Sequence, residues 1–272
     1  MNLENIKLVI TDMDGTLLNS KHEVSSKFLN QFKKLQQLGV LFVVASGRPF
    51  YSIKDKLNTI KKDIIIVAEN GGIVADSSKI LASKSMSMDV VKAIAHAIDT
   101  FQDIITIYCT KNKAYIKQTS EENINQVKEF YSNYELINSA SEINNEVVKI
   151  ALYHERSSET YIYPYVKKFN TENKVIISSP NWVDISVEGI NKGNALRLIQ
   201  EKYSITKSET LAFGDYNNDL EMLQEATFSF AMENAHEDVK SIAKYNTTSN
   251  NDFGVERILD TLITQKTNYQ KQ

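Results

Sequence analysis

The chain has 272 residues, a formal net charge of -3 and 24% charged residues, a balance without the basic excess of a nucleic-acid binder. Its apolar residues make up 42%, ordinary for a soluble globular protein, and no apolar run approaches the ~20 residues of a membrane helix. One cysteine, Cys109, excludes an internal disulfide framework and a multi-cysteine zinc site, and the first five residues lack the basic start of a signal peptide. A cytoplasmic enzyme of one large or two modest domains is the expectation.

The first apolar run, residues 6–10, predicts a strand that leads into Asp12-Met13-Asp14-Gly15-Thr16-Leu17. Gly15 and Thr16 break the strand and leave both acids at its carboxyl end, where open α/β sheets place their ligands. Two acids side by side repel, so the pair calls for a cation, a shared proton, or both. An Asp-Gly turn closing a strand is the plainer account. The choice rests on whether later strand ends bring matching chemistry.

Ser25 or Ser26 can cap a helix carrying Phe28, Phe32, Leu35 and Leu38, with Gly39 where a helix end favours a left-handed residue. The apolar run 40–45 reads as a parallel strand buried on both faces, ending in Ser46-Gly47-Arg48-Pro49, with Pro49 as the first residue of the next helix. A third such run, 64–68, ends in Glu69-Asn70-Gly71-Gly72. This alternation predicts a parallel α/β sheet with right-handed crossovers.

The pattern then changes. Residues 73–82 read as a hairpin around 76–79, and 88–101 as a helix with Val91, Ile94, Ala95, Ile98 and Phe101 on one stripe. Strands follow at 104–109 and 114–117, then a helix over 121–134, a strand over 147–153, and a helix over 157–170 that Pro164 delays or kinks. A hairpin of 174–179 and 182–187 closes the stretch. The order predicts an inserted α+β domain near 83–187, interrupting a core made of 1–82 and 188–272.

Alternation returns with a helix over 191–203 and a strand over 210–213 that ends in Gly214-Asp215-Tyr216-Asn217-Asn218-Asp219. A short helix at 219–226, a strand at 228–232, helices at 236–243 and 255–264 and a frayed polar end complete the chain. His22, His96, His154 and His236 are scattered without ligand spacing and are read as incidental.

If the strands are parallel, Asp12 with Asp14, Ser46-Gly47, Lys192, and Asp215 with Asn218-Asp219 converge on one sheet edge. Carboxylates suit a hard cation such as Mg²⁺. A hydroxyl, backbone N–H groups and a lysine suit phosphoryl oxygens. Phosphoryl transfer to an aspartate uses all of these parts.

With these residues the chain resembles the Cof-type phosphatases of the haloacid dehalogenase superfamily, with a class-two, subtype B cap inserted after the third strand. Asp12-Met13-Asp14-Gly15-Thr16-Leu17, Ala45-Ser46-Gly47-Arg48-Pro49, Gly189-Ile190-Asn191-Lys192-Gly193, and Gly214-Asp215 with Asn218-Asp219 are similar to the family's four motifs in order. Asn70-Gly71, Ala231-Met232-Glu233-Asn234-Ala235 and residues 250–255 are further typical stretches. Met13 stands where leucine is commonest, at a position that contributes mainly backbone.

The resemblance implies a Rossmann-like parallel-sheet core and an α+β cap. It implies Asp12 as the nucleophile that forms an aspartyl-phosphate and Asp14 as the acid and base. It implies Mg²⁺ on Asp12, the Asp14 carbonyl and Asp215. Phosphoryl oxygens would be bound by Ser46, the N–H groups of Met13 and Gly47, Lys192 and Asn218, with Asp219 steadying Lys192 or a metal-bound water. Arg48 and Asn70 each read either as substrate contacts or as structural residues, Asp184 as a residue that could face the site, and Trp182 as packing.

The expected function is Mg²⁺-dependent hydrolysis of small phosphomonoesters, sugar phosphates first, with flavin or pyridoxal phosphates as further candidates. The partner is then a small phosphorylated molecule, with neither nucleic acid nor membrane, and the oligomeric state stays open. A phosphosugar mutase uses the same aspartate pair, but the cap position disfavours it. A non-enzymatic phospho-acceptor or a binding module that has lost activity fits less well, because of the long insertion and the full set of catalytic residue types.

Overall fold

The computed structural model describes residues 1–101 and 103–270. The chain opens with β1 (Leu8–Asp12), α1 (Ser26–Gln37), β2 (Leu41–Ala45), α2 (Phe50–Lys56) and β3 (Ile65–Ala68). It continues through β4 (Ile73–Ala75), β5 (Ile80–Ser83), α3 (Met88–Ile98), β6 (Ile105–Thr110), β7 (Ala114–Lys117), α4 (Glu121–Val127) and β8 (Tyr134–Ile137). Next come β9 (Val147–Tyr153), α5 (Ser158–Tyr161), α6 (Tyr163–Val166), β10 (Asn173–Ser179) and β11 (Trp182–Val187). The last elements are α7 (Lys192–Tyr203), β12 (Thr210–Gly214), α8 (Leu220–Gln224), β13 (Phe228–Ala231), α9 (Glu237–Ile242), β14 (Tyr245–Asn246) and α10 (Gly254–Tyr269).

Two compact units result. One comprises Met1–Ser46, Ile60–Ile66 and the chain from Asn191 onwards; the other comprises Gly47–Thr59 and Val67–Ile190. Among the described residues no helix is long and apolar enough to cross a membrane.

The first unit is an α/β layer structure whose strands run in the order β14-β13-β12-β1-β2-β3, parallel from β14 through β2. Leu8, Val9 and Ile10 of β1 are wholly buried, as a central parallel strand covered on both faces requires. Asp12 is in register with Ala45, and Thr11 with Phe213, so the carboxyl ends of β2, β1 and β12 lie side by side. α1 begins where the Ser25 side chain accepts the Phe28 N–H at 2.9 Å. Its Phe28 and Phe32 rings pack 5.3 and 5.6 Å from Phe42 of β2, and Gly39, at φ +72°, turns the chain back.

Three departures from the expected elements occur in this part of the chain and just after it. Pro49 is the N-cap of α2, and helical geometry starts at Phe50. β14 is too short to carry a period; it is held by parallel pairing to β13 and by Tyr245 stacked on Phe230 at 5.2 Å. α10 runs to Tyr269 because its polar residues are anchored: Gln265 Oε1 accepts the Leu3 N–H at 2.6 Å, and the Lys266 ammonium donates to the carbonyls of Glu4 and Ile6 at 2.9 and 2.8 Å.

The second unit is built on a six-stranded sheet in the order β10-β11-β9-β6-β7-β8, antiparallel throughout except between β7 and β8. β4 and β5 form the expected hairpin, with Asp76 Oδ1 accepting the N–H groups of Ser78 and Lys79. The helix expected over 121–134 stops at Val127, and Tyr134–Ile137 is a strand. The apolar stripe misleads here: Ile124, Val127 and Tyr131 are all buried at helical spacing, although the last lies beyond the helix. Pro164 divides the next expected helix into α5 and α6, with the break at Ile162 (φ -117°, ψ -59°). Trp182 lies 4.9 to 5.9 Å from the rings of Tyr153, Phe130 and Tyr131, which is packing.

An ion cluster is sealed inside this unit. The Lys149 ammonium donates to the Gly47 carbonyl at 2.6 Å and lies 2.8 Å from Glu69 Oε2 and 3.4 Å from Asp184 Oδ1. Asn70 Nδ2 donates to Asp184 Oδ2 at 2.6 Å. Burial raises the Glu69 carboxyl above the usual range even though Lys149 opposes the shift. Replacing Lys149 by Met strands two buried carboxylates, so Lys149→Met is expected to cost about 3–5 kcal/mol near neutral pH. Removing the cation takes away what opposes the upward shift of Glu69, so its folded-state proton affinity rises further above the unfolded value. The native variant then holds protons that the unfolded chain has released, so its stability falls as pH rises through that range. Urea denaturation at pH 5 and pH 8 is expected to give the larger loss at pH 8; equal losses would rule out charge stranding as the cause.

Candidate active site

Asp12 is the last residue of β1, and the chain turns directly after it. The Leu18 N–H donates to the Met13 carbonyl at 2.8 Å, which closes the loop that carries Asp14. Gly15 is required in this turn: its φ is +79°, and a Cβ there would lie 2.3 Å from Asp215 Oδ2. Ser46 follows β2 at the neighbouring strand end and is buried. Lys192 opens α7, whose N-cap Asn191 accepts the Asn194 N–H at 2.7 Å.

Asp215 follows β12, and its Oδ1 accepts the Thr16 hydroxyl at 2.7 Å. The 3₁₀ turn Asn217–Asp219 then folds Asp219 back, so that its Oδ2 accepts the N–H groups of Asp215 at 2.9 Å and Tyr216 at 3.2 Å. The other Asp219 oxygen accepts the Lys192 ammonium at 2.6 Å, and the same ammonium donates to Asp12 Oδ1. Lys192 and Asp219 are fully buried and Asp12 nearly so. Asn218, in the same turn, is also buried.

Asp12, Asp215 and Asp219 offer carboxylate oxygens that all lie within 4.8 Å of one another. Burial lifts the Asp12 carboxyl well above the usual carboxylate range; Lys192 pulls it back, and the charges of Asp219 and Asp215 push it higher. Burial and, after it, the Asp219 charge push the Asp215 carboxyl up to about 7, with the Thr16 hydroxyl opposing. Burial alone would lower the Lys192 ammonium, but Asp12 and Asp219 outweigh it and hold it above its ordinary value. Two buried acids and the half-buried Asp215 beside one ammonium leave excess negative charge on an all-oxygen donor set, the chemistry that fits a hard divalent cation.

The first unit thus carries Asp12, Met13, Asp14, Ser46, Lys192, Asp215, Asn218 and Asp219, with Asp12, Lys192, Asp215 and Asp219 as its close cluster. Gly47, Arg48 and Asn70 belong to the second unit. There the Gly47 carbonyl meets Lys149, Asn70 meets Asp184, and Arg48 donates to the Glu129 carbonyl at 3.1 Å with its guanidinium 4.5 Å over Phe130. His22, read as incidental, sits at φ +57° with Nδ1 3.2 Å from Asp14 Oδ1. Spacing within the polar stretch 19–24 gave no sign that the chain returns there. Thr16 was legible as a turn residue, whereas its bond to Asp215, 199 positions away, was not.

Residues 9–259 match the family of haloacid dehalogenase-like hydrolases. The chain is 32% identical over 266 residues to a 5-amino-6-(5-phospho-D-ribitylamino)uracil phosphatase of Escherichia coli, covering 95% of this chain and 97% of that one. It is 27% identical to a Bacillus subtilis phosphatase of the same name, covering 94% and 95%. Among solved structures, SMU.1108c from Streptococcus mutans superposes with a TM-score of 0.89 at 29% identity, over 95% of this chain and 99% of that one. The chain belongs to the haloacid dehalogenase-like hydrolases and is a phosphatase of that family.

Proposed function

We propose that the enzyme is a Mg²⁺-dependent phosphomonoester hydrolase that works through an aspartyl-phosphate on Asp12. The observation that carries this reading is the Lys192 ammonium held between Asp12 and Asp219, with Asp215 close by. Asp12, the Asp14 carbonyl and Asp215 would hold Mg²⁺, which when bound offsets the charge between an anionic nucleophile and an anionic phosphoryl group. Ser46, the N–H groups of Met13 and Gly47, Lys192 and Asn218 are assigned to the phosphoryl oxygens.

In the first step an Asp12 oxygen bonds to phosphorus, the ester P–O bond breaks, and the departing oxygen takes the proton of the Asp14 carboxyl. In the second, water attacks phosphorus and gives a proton to Asp14, the bond to Asp12 breaks, and inorganic phosphate leaves. Asp219 is assigned to holding Lys192. Arg48 and Asn70, engaged by Glu129 and Asp184, are assigned to shaping the second unit.

The substrate is a small phosphorylated metabolite, sugar phosphates first. Two relatives are named for a primary phosphate ester of a ribityl chain, a sugar-alcohol phosphate, which supports that class. We assign residues 1–82 and 188–272 to the hydrolase core and 83–187 to a cap that selects the substrate. Supporting this division, every strand of the six-stranded sheet falls between Ile105 and Val187. A cap that closes over a small ester also excludes bulk water from the first step. We assign the enzyme to the cytoplasm and to small-molecule substrates; the net charge of -3 gives no basic surplus for a nucleic-acid partner.

Phosphate release from a panel of esters with Mg²⁺ is expected to fall to background in Asp12→Asn and by at least ~10²-fold in Asp14→Asn. Unchanged turnover in Asp12→Asn would sink the aspartyl-phosphate assignment. Chelation with EDTA is expected to abolish turnover and added Mg²⁺ to restore it. Mg²⁺ is also expected to raise the Tm of the wild type and not that of Asp215→Asn, because a cation that binds the folded state stabilises it; an equal shift in both would place the metal elsewhere.

A further inference from the structure

The loop that carries Asp14 is held by asparagines from two distant segments. Asn234 Nδ2 donates to the carbonyl of Gly15, the residue after Asp14, at 2.8 Å. Asn250 Nδ2 donates to the Leu18 carbonyl at 2.8 Å, and its own backbone N–H donates to Asn234 Oδ1 at 3.1 Å. Asn251 Oδ1 accepts the Ser20 N–H at 2.9 Å. The loop is therefore stapled at three backbone carbonyl or amide groups by side chains of two segments, which the Asn234 side chain joins by accepting the Asn250 N–H.

Both supporting segments are fixed. The turn bearing Asn234 is tied to the Asp215 strand end: the Met232 N–H donates to the Gly214 carbonyl at 3.2 Å, and the His236 N–H to the Asp215 carbonyl at 2.8 Å. The 3₁₀ turn Asn250–Asp252 is capped by Ser249, whose Oγ accepts the Asp252 N–H at 3.2 Å. Asparagine suits the bridging position because it presents a donor and an acceptor together, and Asn234 uses both. Asn234 is exposed and Asn250 half-buried, so truncating either removes hydrogen bonds without opening a core cavity.

We propose that Asn234 and Asn250 are positioning residues for proton transfer by Asp14, acting as one clamp that fixes the 15–20 loop relative to the Asp215 strand end. The proposal rests on the assignment of Asp14 as acid and base. A clamp of this kind governs where the carboxyl meets the departing oxygen, and small misplacements of a reacting group are costly in rate.

The test compares kcat/KM for a primary alkyl phosphate with that for p-nitrophenyl phosphate. An alkoxide needs Asp14's proton to depart, whereas nitrophenolate departs nearly unaided. Because both substrates are measured on one preparation, their ratio does not depend on the fraction of enzyme folded. Asn234→Ala and Asn250→Ala are each expected to lose about 10-fold on the alkyl ester and less than about 3-fold on the nitrophenyl ester. Asn234→Asp, which keeps the acceptor and loses the donor, is expected to behave as Asn234→Ala. The double alanine variant is expected to be little worse than either single one, since the two share one clamp. Asp14→Asn serves as the reference and is expected to split the two substrates most widely. No split in Asp14→Asn would overturn the assignment of Asp14 itself. A wide split in Asp14→Asn with equal losses, or none, in the asparagine variants would overturn the clamp.

Discussion

The site depends on one buried ammonium. Lys192, wholly enclosed, donates to Asp12 at the end of β1 and to Asp219 in the turn beyond β12. Removing a lysine and two carboxylates from water is tolerable when geometry and further hydrogen bonds satisfy them. Asp219 meets that condition: its second oxygen takes two backbone N–H groups, so it is locked before it reaches Lys192. Lys192 is in turn the first residue of a capped helix, and its backbone cannot drift. The nucleophile candidate is thus oriented by a chain of contacts that begins in the backbone of the Asp215 turn.

This chain explains why the small residues stand where they do. Asp215 lies so close to the Asp14 turn that no side chain fits at Gly15, and the same carboxylate draws the Thr16 hydroxyl. One acid therefore constrains two successive residues of the first motif. The parallel register of β2, β1 and β12 makes this possible, because it ends three strands at one level and lets short turns from each approach the same point.

Much of this was legible in the amino-acid order. Continuous apolar runs that stop at Asp12, Ser46 and Gly214 announce buried parallel strands, and the polar residues just beyond them share one edge. What escaped was of two kinds. Short or irregular elements carry too few residues to show a period: β8 has four residues of which only Ile137 is buried, and β14 has only two. Contacts made by returning loops were also invisible. His22 beside Asp14, and Asn234 and Asn250 on the Asp14 loop, depend on tertiary closure over as many as 232 positions, which no local pattern encodes.

A second buried lysine shows by contrast what makes the first cluster a site. Lys149 meets Glu69, Asp184 and the Gly47 carbonyl, while Asn70 occupies Asp184's other oxygen. Glu69 is wholly enclosed and Asp184 nearly so, and the cluster sets two acids against one ammonium inside the fold. The Lys192 cluster is not enclosed in this way. It holds three acids to one ammonium, two of them with raised proton affinity, and Asp215 retains partial exposure. Excess negative charge on accessible oxygens can be relieved by protons, by a divalent cation, or by reaction with an electrophile. An enclosed cluster offers no such oxygens, so what sets the Lys192 cluster apart is excess negative charge beside a half-buried acid and not burial of charge as such.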